Sequence, residues 1–350
     1  MAIRATPIGV LKGAVSESQA RSKADATERA SAANILNPND IQGDYDVQRM
    51  LVTTLGGIQR SITNNDLAAF RQNARTAGSR FKGGITARQI IDLSLNGDRD
   101  RARRQITVAV PSSAKAIKGS GGSINSLEVR FITNASRDSK ETRHHVAVQF
   151  MGYPSAVASG AVTPMRAAAM IRKQAVRFDC DCGRHRYWFR YISTIGNYHA
   201  GRAENGYPKI RNPDLSGVAC KHVLRVMAEI EGSGVVQSFL TRAVEKGRAS
   251  ETGSASVRAS QKDADKLAEK QAARPKAKGD TGDRNYDRSR AALRKSSKTA
   301  VPAHKKKAGS GRRLSALASK PEAHDALMGI ITKLGITKEQ AIAIINGAGK

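Results

Sequence analysis

Cysteine is nearly absent. Three in 350 residues is an odd and small number, which does not suggest a disulfide framework and leaves a reducing compartment as the default. Aromatic residues are scarce, at 4%, and apolar residues reach only 39%, although the length still suffices for a sizeable core in two or three folded units. No apolar run approaches the roughly 18 residues of a membrane span, so no membrane role is expected. The opening stretch MAIRATPIGVLKG lacks a continuous apolar core and a small-residue cleavage site, so no secretory signal is expected either. Catalytic signatures are missing too. GSGGS (119–123) lacks the Gly-Lys-Ser/Thr ending of a phosphate loop, GRAENG (201–206) is no dinucleotide fingerprint, and no nucleophile–base pair stands out. The expectation is a protein without enzymatic activity. Acidic residues are few: 30 Asp and Glu face 59 Lys and Arg, for a net charge of +29. A surplus that large favours polyanionic partners, whether nucleic acid, acidic protein faces or anionic lipid, and says nothing about fold.

What is present divides the chain into five stretches. Residues 1–43 read as an N-terminal arm whose SESQARSKADATERASAA is one solvated helix or orders only on docking. Residues 44–104 read as helical. Met50, Leu51, Leu55 and Ile58 fall at helical spacing around Gly56 and Gly57, and Asn65 and Thr86 are candidate N-caps. Residues 105–240 form an α+β domain with strands at 105–110, 127–133 and 144–150, a turn at 118–123, and a helix capped by Thr163 with Pro164 in its first position. Residues 241–320 carry 22 Lys and Arg against 8 Asp and Glu, and no Ile, Phe, Trp, Met or Cys. That composition predicts a basic, disordered linker. Residues 321–350 read as a C-terminal helical pair broken at Leu334-Gly335, with Thr337 and Gln340 as a capping box. The fold class is therefore α+β: a small antiparallel sheet with flanking helices, a metal-pinned insertion, and a disordered basic tether to the C-terminal helices.

The three cysteines fall into a pattern. Cys180 and Cys182 form C-x-C in RFDCDCG; after a gap of 37 residues, Cys220 and His222 form C-x-H in VACKHVLRVM. Three thiolates and an imidazole are a regular tetrahedral ligand set for zinc. Gly183 permits a turn to converge the first pair. Val223, Leu224, Met227 and Ile230 recur at helical spacing, so Cys220 and His222 sit at a helix start, where the exposed N–H groups favour thiolate. Four protein ligands leave no obvious open position, which points to structural zinc. Buried reduced cysteines or a strained C-x-C disulfide are the bland alternatives, and His185 and His199 are substitute ligands. Asp179 and Asp181 flank the pair as acceptors around the site or as solvated turn residues. His144 and His145 begin a strand, face opposite ways and so are not expected to share a site.

The C-x-C, gap, C-x-H order resembles the SWIM-type zinc module, which implies metal ligation by Cys180, Cys182, Cys220 and His222 and binding of DNA or protein partners. FDCDC together with YPKIRNPDLSGVACKH (207–222) resembles a segment of structural proteins of tailed bacteriophages. That resemblance implies a virion component in the tail or baseplate of a contractile phage, assembled in the host cytoplasm with other virion proteins in multiple copies.

Nucleic acid is a second candidate partner. RHRYWFRYI (184–192) alternates as a strand would, with Arg186, Trp188 and Arg190 on one face as a stacking and phosphate-binding strip, or simply as a half-buried strand with solvated arginines. Lys305, Lys306, Lys307, Arg312 and Arg313 are the basic clusters of a DNA-binding tail or of a solvated tether.

Overall fold

Apolar alternation along consecutive stretches builds the centre of this molecule. The computed structural model describes residues 9–30, 34–42, 51–81, 84–136, 139 and 141–274. The chain runs through helices α1 (Ala14–Ala30) and α2 (Pro38–Gln42), strands β1 (Val52–Thr53) and β2 (Arg60–Ser61), α3 (Asn64–Ser79), β3 (Ile85–Thr86), α4 (Ala87–Leu93) and α5 (Asn96–Gln105). It continues with β4 (Ala109–Lys118), β5 (Ile124–Asn134), β6 (Arg143–Phe150), α6 (Tyr153–Ala158), α7 (Pro164–Ile171) and β7 (Ala175–Cys180). A π-helical turn (His185–Phe189) leads into α8 (Arg190–Ile195), followed by α9 (Lys221–Gly232), α10 (Gly234–Arg248), β8 (Ser256–Arg258) and α11 (Gln261–Ala272). The fold is α+β. Six strands form one antiparallel sheet in the order β3-β7-β6-β5-β4-β8.

The register aligns three buried rows across β5, β6 and β7: Leu127, Phe150 and Val176; Val129, Val148 and Phe178; Phe131, Val146 and Cys180. The first candidate ligand is thus the end of an apolar row. Helix α9 lies across this face, against β4 to β7 and against α4 and α5. Its buried stripe, Val223, Leu224, Val226, Met227 and Ile230, is what an amphipathic helix lays on a sheet. The opposite face is covered at one end, where Val108, Val110 and Ile132 meet Val10, Ala14, Ala264 and Ala268.

Several expectations need correction. The boundary at residue 240 falls inside α10, and residues up to 274 belong to the fold, with β8 paired to β4 and α11 packed on it. Helix α11 needs no large side chains, because its buried face is alanine and Gln271 exchanges two hydrogen bonds with the Ala109 backbone, at 2.8 and 3.1 Å. The rest of the expected linker and the C-terminal helical pair lie outside the described residues. The stretch around Gly56 and Gly57 is a hairpin turn between β1 and β2, not a helix: both glycines have positive φ, which glycine adopts without strain. The first expected strand, 105–110, begins instead at Ala109 and runs to Lys118. Pro111, which has no N–H to give, sits beside a bulge beyond the reach of β8. Thr86 and Thr163 cap their helices as expected.

The expected metal-pinned insertion does not lack a core. Tyr207 stacks on Phe70 at 4.4 Å and meets Tyr191 edge-on, and Tyr198 packs against Phe81 and Phe178. Asn212 in the NPDLSG turn donates to the carbonyls of Trp188 and Ser216 and accepts from the Ser216 N–H, fixing the loop that delivers Cys220.

Helix α3 is capped by Thr63, not Asn65, in a reciprocal box with Asp66. Hydrogen bonds from the exposed Arg60, and then from Thr63, hold the Asp66 carboxyl down at about 2, against the opposing effect of burial. A depressed carboxyl stabilises the fold above its unfolded value and loses that contribution as pH falls toward the folded one. Asp66→Asn is therefore expected to destabilise by about 1 kcal/mol at neutral pH. In urea titrations, the gap between parent and variant should close as pH falls from about 4 to about 2.

Candidate metal centre

The strand pleat sends Val176, Phe178 and Cys180 to the face covered by α9. Asp181 extends the ladder by one bond, its N–H donating to the His145 carbonyl at 3.2 Å. At Cys182 the chain leaves the sheet and coils. No turn is needed to bring the two sulfurs to one side, because residues two apart in a strand already share a face. The turn serves the backbone instead. The helical segment beginning at Gly183 points N–H groups back at Cys182, whose Sγ accepts from the His185 N–H at 3.3 Å. Cys220 occupies the matching place on the other side, as the N-cap of α9, with His222 in the first turn. Two of the three thiols therefore lie at helix N-termini, where partial positive charge stabilises thiolate.

These four side chains converge. Their ligand atoms lie within 4.8 Å of one another. A tetrahedron with 2.3 Å metal–sulfur bonds sets its corners about 3.8 Å apart, so closure on an ion asks for a contraction of about an ångström at most. All four residues are buried, at 4% exposure or less, and all three cysteines are free thiols. Both ring nitrogens of His222 are buried with no partner beyond the neighbouring Cys182 sulfur, a weak one, an arrangement that is costly unless something else accepts the lone pair. Burial also pushes the His222 imidazole below its ordinary value, keeping it neutral as a ligand must be. Burial drives the Cys180 and Cys220 thiols well up, whereas hydrogen bonds from these two hold Cys182 well down as thiolate. A divalent cation would ionise the remaining two and release their protons. The buried Cys3His cluster is thus able to hold a metal ion. His185 and His199 lie outside it.

A polar layer surrounds the cluster that single-residue reading missed. The His144 ring rests on His222 at 4.2 Å. One Asp181 carboxylate takes His144 Nδ1 at 3.0 Å and His145 Nδ1 at 2.9 Å, so two histidines on opposite faces do share a partner. Burial opposes the charge on Asp181, but the two imidazoles outweigh it and hold the carboxyl well below the usual range. Arg21 of α1 adds a 2.7 Å contact to the same group. Asp179, on the other flank of Cys180, sits 3.0 Å from His185 Nε2 and 3.2 Å from Arg190. The only sequence signal for this layer is that aspartates flank the C-x-C pair.

The stretch expected as a strand is helical: the π turn carries an N–H of Arg190 back to the His185 carbonyl, and α8 follows. Period-two alternation misled because Arg186 and Arg190, four apart, also share a helix face. Both arginines point inward, buried on Asp25 of α1, with Arg190 at 2.8 Å. Neither is a free nucleic-acid contact. Trp188 is half-buried under Arg184, whose guanidinium lies 3.9 Å over the indole and forks onto Asp98. Lys305, Lys306, Lys307, Arg312 and Arg313 lie outside the described residues.

Comparison with known proteins finds no matching family model, no similar curated protein and no similar solved structure. No described helix is long and apolar enough to cross a membrane.

Cys182→Ser is expected to lower bound metal from one ion per chain toward none and to destabilise by about 3 kcal/mol or more. For a unit of this size that is a fall of roughly 10 °C in melting temperature. Elemental analysis and calorimetry on the same preparation check both, and an unchanged metal content would mean the ligands are misassigned. Asp25→Ala removes the buried carboxylate shared by Arg186 and Arg190 and should cost roughly 3 kcal/mol, well above an exposed ion pair. Asp25→Asn, which keeps hydrogen bonding, should lose less in the same denaturation assay.

Proposed function

We propose that this chain is a non-catalytic structural protein that works by assembly, fastened by zinc at Cys180, Cys182, Cys220 and His222, and that its setting is the virion of a tailed phage, in the tail or baseplate. The observation that carries the reading is the closed, buried donor set. Three thiolates and one imidazole suit zinc by softness and number, and they fill a tetrahedron, leaving no position for water or substrate. Such an ion stiffens the chain, and stiffness serves a part that repeats in a particle. The virion setting rests on the FDCDC and YPKIRNPDLSGVACKH resemblance. An intracellular SWIM-like protein binding DNA or RNA is the second reading, favoured by the +29 charge. Against it, Arg186 and Arg190 are both committed to the buried Asp25.

Protein purified without chelators should carry one zinc per chain. Particles banded on a density gradient should contain the chain in stoichiometric copies by mass spectrometry. A zinc-loaded chain missing from particles, with DNA affinity that falls steeply as salt rises, would transfer the case to the second reading.

A further inference from the structure

A cleft opens between α4, α5 and α9. Its walls are Ile91, Ala102, Leu224 and Ala228, rimmed by Arg99, Arg103 and Arg225, and it has room for about 110 Å³. That is less than the ~150 Å³ of a cavity that takes a benzene, so one aliphatic side chain fits and a nucleobase does not. No aromatic ring lines it, so the stacking platform of a single-strand binder is missing.

The charges around it are unevenly committed. Of the four arginines on α5, Arg101 and Arg104 pair with Asp98 and Asp100 of the same helix. Among the described residues Arg99 bonds the neutral Asn96 side chain and pairs with no carboxylate, and the exposed Arg103 has no ion-pair partner. Arg225 is shared with Glu229, the acidic group beside the cleft, which Arg274 also neutralises. Two uncommitted guanidiniums beside a small apolar slot make a short footprint, too short for a phosphate track and matched to a pair of carboxylates.

We propose that this cleft docks an acidic segment of a protein partner that inserts one aliphatic side chain and places carboxylates against Arg99 and Arg103. Charge complementarity and slot size select that occupant, in the manner of an anchor residue within a polar rim. The inference does not rest on the virion setting or on which ion the neighbouring cluster holds.

The probe is fluorescein-Gly-Glu-Glu-Leu-Glu-Glu-Gly-amide, titrated by anisotropy against the full zinc-loaded chain. Ala228 is exposed, so Ala228→Trp plugs the slot from outside without entering the core. Ala228→Trp and Arg103→Glu should each weaken binding by about tenfold or more, with melting temperature and metal content as in the parent. Replacing the peptide's leucine with serine should weaken it comparably. The proposal is overturned if the parent does not bind, if leucine and serine peptides bind alike, or if both variants keep parental affinity. It is equally overturned if the same variants lose short duplex DNA while retaining the peptide, which would make the cleft a phosphate contact.

Discussion

Three sulfurs and an imidazole closed off from water cannot all take their binding forms without a cation among them. Burial penalises each thiolate, and the penalties compound because the sulfurs crowd one another. The fold meets this in two ways. Helix N-termini at Cys182 and Cys220 supply partial positive charge, and the neutral His222 completes the donor set. The geometry around the cluster follows from that requirement: β7 must end where α9 begins, and the long connection between them must return its chain to the same point.

The metal does not replace a core. Phe70 stacked on Tyr207, Tyr191 edge-on to the same ring, and the pair of Tyr198 with Phe81 already consolidate the connection. What four short bonds to an ion would add is direction. They would fix how the strand end meets the helix start, a frame that the surrounding charges already border. Asp179 and Asp181 stand on either side of Cys180 and gather His144, His145, His185, Arg21 and Arg190. A rigid pair of carboxylates thereby organises a basic chain that would otherwise repel itself locally.

Legibility in the sequence followed the kind of information each feature carries. Metal ligation depends on residue identity, and cysteine is rare enough that C-x-C and C-x-H name the ligands directly. Strands β5 and β6 alternate cleanly and were readable as such. Strand β4 was displaced because its alanines, lysines and proline carry little of the β-branched signal. Helix α11 was read as linker because alanine packs well yet contributes little to any measure of hydrophobicity. The Gly56-Gly57 hairpin was read as helix because its apolar residues happen to fall three and four apart. Of the layer around the cluster, Asp179 and Asp181 were in view, but their partners and the buried Asp25 were out of reach, since Asp25 and Arg190 meet across 165 positions. Nothing in either neighbourhood announces the other.

Helix α1 illustrates what such distant attachment entails. Among its described side chains only Ala14 and Asp25 are buried, and its anchors are Arg143 and Asp181 on one side and Arg186 and Arg190 on another. Just before it, the Val10 N–H donates to Asp265. During synthesis this helix leaves the ribosome before any of those groups exists. It must wait, unsupported, until those distant groups have been translated, so a segment made before its partners docks only after them.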